Sequence, residues 1–204
     1  MTRTTFSEHD LIGVEIKKNQ HQVKESVFFR ILDILIPEPK TKDFSLNLPT
    51  TLFIKAIALS DFINEEYDLD DCEFKIGSLI WILYKDFLGR AYKYNNLNEL
   101  YSFISSMEHN HVGISDYRNK NGSVNIHSND QFGETTITIS LSTKEALKGE
   151  LVLADLYETF SYHITLEKLI ELQVVHFLNE YKKGHLPNAV NEIVNYYKKS
   201  SDIE

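Results

Sequence analysis

Two short stretches of the chain alternate between apolar and polar residues, and each runs straight into a helix signal. In the first, Phe44, Leu46 and Leu48 fall at every second position, and Pro49-Thr50-Thr51 follows. In the second, Ile137, Ile139 and Leu141 do the same, and Ser142 and Glu145 follow at the spacing of a capping box. Alternation at period two puts one set of side chains on one face, as a half-buried strand requires. In a capping box each side chain satisfies a backbone N–H that the first helical turn leaves unpaired. A chain that passes from strand to helix twice, with no room for a loop, has few folds open to it.

The correspondence extends beyond the strands. Leu48 aligns with Leu141, Thr50 with Thr143, Leu59 with Leu153 and Asp61 with Asp155. Further on, Leu79 and Ile80 align with Leu169 and Ile170, Phe87 and Leu88 with Phe177 and Leu178, and Asn98 and Glu99 with Asn191 and Glu192. Three helices are expected after each strand. The first set runs from Thr50 to about Glu66, with Phe53, Ile57 and Phe62 among its apolar positions. It continues over about Ile76 to Lys93 and then from Asn96, where Glu99 completes a box-like spacing. The second set starts at Ser142, continues from a Thr165 cap to Lys183 with Gly184 as its stop, and ends in a helix after Pro187. The pattern reads as pseudo-repeats over approximately 43–104 and 136–197. A shared hydrophobic rhythm of unrelated segments is the competing explanation.

Three other segments complete the reading. Residues 20–36 carry Val23, Val27, Phe28, Ile31, Leu32 and Leu35 at helical spacing, and Pro37 and Pro39 end that helix. Leu11 to Ile16 alternates weakly, as a strand would. The insert 108–135 is polar, β-branched and turn-rich, with Asn121-Gly122 between Val112-Ile114 and Val124-Ile126. Together with residues 135–141 it predicts a three-stranded antiparallel meander. The expected fold is α+β: an internally duplicated strand-plus-three-helices unit around a central antiparallel sheet, in one domain over 1–204.

The formal net charge is -9, which argues against direct nucleic-acid binding, because phosphates need Lys and Arg. The single cysteine, Cys72, permits no intramolecular disulfide. No apolar run approaches the roughly 18 residues that cross a bilayer, and the N-terminal residues lack a secretory apolar stretch. A cytoplasmic protein away from membranes is expected. Neither a Gly-rich phosphate loop nor a Gly-x-Ser-x-Gly elbow occurs, so no catalytic residue or cofactor is assigned.

The alignment needs about four extra residues in the first copy, between its first two helices. There the chain carries Glu65, Glu66, Asp68, Asp70, Asp71 and Glu73, six carboxylates within nine residues. Like charges so close repel unless a cationic surface arrives. The segment lacks the Gly and downstream Glu of a calcium-binding loop, so no metal is assigned to it. Glu108, His109, His111, Asp116 and His127 form the densest metal-like cluster; His109 and His111 would share a face if the segment were a strand. Tyrosines such as Tyr92, Tyr101, Tyr181 and Tyr196 gather at the ends of matching helices. The leading expectation is a protein-binding inhibitor of the immunity type, with the six carboxylates engaging a basic, nuclease-like effector. A metal-dependent enzyme using His109 to His127 and a structural or regulatory homodimer are the alternatives.

Overall fold

The computed structural model describes residues 4–22, 40–69, 73–94, 96–111 and 132–201. Among them are seven helices and a two-stranded antiparallel sheet, an α+β arrangement. In chain order these are α1 (Leu11–Gln22), β1 (Thr41–Pro49), α2 (Thr50–Glu66), α3 (Ile76–Tyr94) and α4 (Leu97–His111). They are followed by β2 (Glu134–Ser142), α5 (Thr143–Phe160), α6 (Leu166–Lys182) and α7 (Ala189–Ser201). The order strand, helix, helix, helix therefore occurs twice.

The ribbon's register is fixed at its two ends. Thr50 N–H donates to the Gly133 carbonyl at 3.0 Å, and Thr143 N–H donates to the Lys40 carbonyl at 2.9 Å. Equal strand lengths between these bonds leave no room for a bulge, so Phe44 lies opposite Ile139, Leu46 opposite Ile137 and Leu48 opposite Thr135. Phe44, Leu46, Leu48, Ile139 and Leu141 are buried on one face. The other face is small and polar, and it is tied across the strands. Ser140 donates to the Asp43 carboxylate at 2.5 Å, and Thr136 donates to the Asn47 side-chain oxygen at 2.7 Å. Such side-chain contacts belong to the non-hydrogen-bonded pairs of an antiparallel ladder, where side chains come closest.

The local signals for helix ends act as expected. The Ser142 hydroxyl accepts from Glu145 N–H at 3.2 Å, Asn96 Oδ1 from Glu99 N–H at 3.2 Å and Thr165 from Lys168 N–H at 3.3 Å. Gly184, at φ 76°, follows α6 in the left-handed conformation that glycine adopts without strain.

Two expectations need correction. Leu11 to Ile16 is the start of helix α1, not a strand. Its first N–H groups are taken by carboxylates: Gly13 by Asp10, and Leu11 and Ile12 by Glu150. Residues 135–141 do form a strand, but among the described residues its neighbour is β1 and not a meander strand. The other two meander strands, near 112–114 and 124–126, lie outside the described residues. So does the helix of 20–36 beyond residue 22.

The chain divides into two compact units, and both strands run through each. The first comprises Met1–Ser45 and Thr138–Lys168. In it α1 packs on α5, and Phe6, Leu11, Val152, Leu153 and Leu156 are buried. Phe6 meets Tyr157 edge-on at 6.0 Å, and its carbonyl accepts from Leu166 N–H at 2.7 Å. The second comprises Leu46–Ile137 and Leu169–Glu204. Here α3 is the central helix, packed against α2, α4 and α7. Its Leu79, Ile80, Tyr84 and Phe87 are inaccessible to solvent.

Candidate functional site

Helix α2 is apolar on two sides. Leu52, Ala56, Leu59, Ser60 and Ile63 form its buried stripe. At 3.6 residues per turn, Ile54, Ile57, Ala58, Asp61, Phe62 and Glu65 fall on the opposite side. All six are exposed, with Ile54 at 58%, Ile57 at 39% and Phe62 at 45% of full accessibility. Two of the apolar positions marked in the sequence, Ile57 and Phe62, therefore face solvent. Lys55 is exposed on this side as well, so the outer face mixes apolar and charged groups. Here carboxylates run along the same outer face: Asp61 in its middle, then Glu65 and Glu66 at its C-terminal end.

The described residues between α2 and α3 continue this acidic end and are tied down on both sides of positions 70–72. Asn64 Nδ2 donates to the Phe74 carbonyl at 2.9 Å, and Phe74 N–H donates back to Asn64 Oδ1 at 2.8 Å. The Tyr67 hydroxyl donates to Asn191 Oδ1 at 2.7 Å. Phe74 is buried and stands edge-on to Tyr197 at 5.1 Å. Between these anchors Asp68 and Glu73 are exposed. Glu73 pairs with Lys75 at 3.1 Å, an exposed ion pair of the kind that contributes about 0–1 kcal/mol. Of the six carboxylates marked in the sequence, Glu65, Glu66, Asp68 and Glu73 are thus placed on one end of the second unit. Asp70 and Asp71 lie outside the described residues, as does Cys72. Sequence reasoning passed over Ile54, Ala58 and Asp61 as surface residues; the signal was the apolar residues at helical spacing on the side opposite Leu52, Ala56, Leu59 and Ile63.

The second unit also holds a cleft of about 640 Å³, within the range of small-ligand sites. Ile82, Leu83, Met107 and Ile193 give it apolar walls, and its charged groups are largely paired with one another. Arg90 Nε donates to Asp86 at 2.7 Å, and the guanidinium lies 5.1 Å from the centre of the Phe103 ring. Glu180 accepts from Lys183 and from His185, both at 2.7 Å, and these bonds hold its carboxyl at about 2. Burial lowers His176 below the usual imidazole range, with Lys183 and Arg90 acting in the same sense and Glu180 opposing. Gln173 lines the same cleft; it is 7% exposed, and its Oε1 is buried with no hydrogen-bond partner among the described residues.

Compared with protein-family models, curated proteins and solved structures, the chain matches none. The site must be read from its own residues.

His109 and His111 lie in the last turn of α4, which is helix and not strand. Asp116 and His127 lie outside the described residues. Among the described residues no three His, Cys, Asp or Glu side chains are grouped to hold a metal ion. No helix among them is long and apolar enough to cross a membrane.

Proposed function

We propose that this chain is a protein-binding inhibitor of the immunity type, acting in the cytoplasm, and that it neutralises a basic, nuclease-like effector through the outer face of α2 and the acidic connection beyond it. One observation carries this reading: Ile54, Ile57 and Phe62 share a single exposed face with Asp61 and Glu65, and Glu66 and Asp68 extend it. Apolar side chains at the centre of an interface supply most of its affinity. Carboxylates around them speed encounter with a basic partner and disfavour acidic ones. A nuclease must be basic where it holds phosphates, and carboxylates of an inhibitor can occupy that surface in their place. The chain's net charge of -9 acts in the same direction. The twofold recurrence of strand and three helices, with the reciprocal bonds Thr50–Gly133 and Thr143–Lys40, supports reading the scaffold as an internal duplication whose first copy diverged at this connection.

The test is capture from the native host with three proteins: wild type, an Ile54→Ser/Phe62→Ser variant, and a Glu65→Gln/Glu66→Gln/Asp68→Asn variant. The wild type should retain a basic protein whose association slows at least tenfold between low and high salt. Losing two apolar anchors, at about 1–3 kcal/mol each, should weaken it tenfold or more. The amide variant should lose mainly association rate. An acidic partner, or a basic one held equally by all three proteins, would refute the reading.

A further inference from the structure

The two strands of the ribbon treat their outer edges differently. In the register fixed above, Asp43, Ser45 and Asn47 turn their backbone N–H and C=O groups away from β2. Side chains meet that edge along its length. His9 Nε2 bonds the Asp43 carbonyl at 2.7 Å, Ser45 N–H donates to Glu8 at 3.3 Å, and Asn47 N–H donates to Glu171 at 2.7 Å. On β2 the residues turned outward are Thr136, Thr138 and Ser140. Their side chains are exposed, and among the described residues nothing outside the ribbon bonds their backbone groups. Natural edges are guarded by Lys, Pro, bulges or covering groups. β2 reads Glu-Thr-Thr-Ile-Thr-Ile-Ser-Leu-Ser, with neither Lys nor Pro, and no bulge or covering group guards it among the described residues.

We propose that a second copy of this chain pairs along this edge, β2 against β2 and antiparallel, to give a four-stranded sheet in the order β1-β2-β2-β1. The twofold axis passes through Thr138, the middle residue of the nine-residue strand, so both strands overlap over their full length. Thr138 then exchanges both backbone bonds with its own copy, and Thr136 exchanges them with Ser140. On the core side Ile137 lies opposite Ile139, which extends the apolar face. Charge does not oppose pairing along this edge: the chain carries a net charge of -9, but β2 has a single charged residue, Glu134, and the register sets it opposite Ser142. This interface is isologous, so it closes at two copies and does not propagate.

The experiment is sedimentation of the full chain over a concentration series. The mass should rise from 23.7 kDa to about twice that value. Thr138→Pro removes an N–H that the β1 ladder does not use, so melting should stay within a few degrees of wild type while dimerisation weakens at least tenfold. Two charge variants test the register. Thr136→Lys with Ser140→Lys sets like charges opposite each other and should dissociate the dimer. Thr136→Glu with Ser140→Lys sets opposite charges together and should keep it. A chain that stays monomeric to about millimolar concentration would overturn the proposal, and so would a dimer indifferent to all three variants. A monomer whose Thr136, Thr138 and Ser140 amides resist hydrogen exchange would also overturn it, because the edge would then be covered from within the same chain.

Discussion

Glu150 offers the sharpest test of how the first unit is held together. It lies on α5 and is 0% exposed. It accepts from the Ser7 hydroxyl, from Leu11 N–H at 3.0 Å and from Ile12 N–H at 2.9 Å. These amides belong to the first turn of α1, so a carboxylate from a distant helix caps that helix and faces the positive end of its dipole. In Glu150→Gln the side chain keeps its shape and one oxygen. The amide group that replaces Oε2 confronts the Ile12 N–H, donor against donor. A buried N–H left unpaired costs about 1–3 kcal/mol. Losing the charge at the helix N-terminus costs up to about 2 kcal/mol more. The expected loss is about 3 kcal/mol, which for a chain of this size lowers Tm by roughly 6–12 °C. Urea and thermal unfolding would measure it, with Glu158→Gln as the control. Glu158 is exposed on the same helix, and its change should stay within about 0.5 kcal/mol. Limited trypsin digestion should also speed up at Lys17 and Lys18 in α1, because the helix has lost its anchor. A loss below about 1 kcal/mol, with α1 still protected, would refute the capping argument.

Two further expectations concern the cleft. Gln173→Met removes the unpartnered Oε1 at nearly constant volume, so it should stabilise the chain by about 1–2 kcal/mol; a destabilised variant would mean the oxygen has a partner. The pH dependence follows from His176 and Glu180, both held below their ordinary values. Each contributes stability that is present above its unfolded pKa and fades as pH falls toward its folded one. Tm should therefore decline as pH drops below about 6.5, the ordinary value for His176, and again between about 4.5 and 2 for Glu180. His176→Phe should flatten the upper part of that profile, and an unchanged slope between pH 7 and 5.5 would show that another group governs it.

How much of this was legible in the sequence depended on distance along the chain. The caps at Ser142, Asn96 and Thr165 act over three residues, and the sequence displays them directly. The two strands were legible because period two is a local pattern. Their partner was not, because alternation says which face is buried and nothing about which edge pairs. α1 was misread for the same reason. The acceptor that starts it, Glu150, is 139 positions from Leu11, and six residues of weak alternation cannot reveal it. The cleft draws on α3, α4, α6 and the segment around α7, so no window of sequence contains it. The outer face of α2 was present in the sequence as a second apolar stripe. It was hidden because apolar residues are read as core by default.

The first helices after the two strands can be compared position by position, because Thr50 opens one and Thr143 the other. Ala56, Leu59 and Ile63 stand where Gly149, Val152 and Leu156 stand, and all six are buried. Ile57 stands where Glu150 does. Glu150 is 0% exposed and captures the start of α1, whereas Ile57 is 39% exposed. An apolar side chain on α2 thus takes the place that the capping carboxylate holds on α5, and among the described residues no helix covers it as α1 covers α5. Under the proposed function the cover comes from another molecule, and Asp61, Glu65 and Glu66 along the outer face favour one that is basic along its flanks.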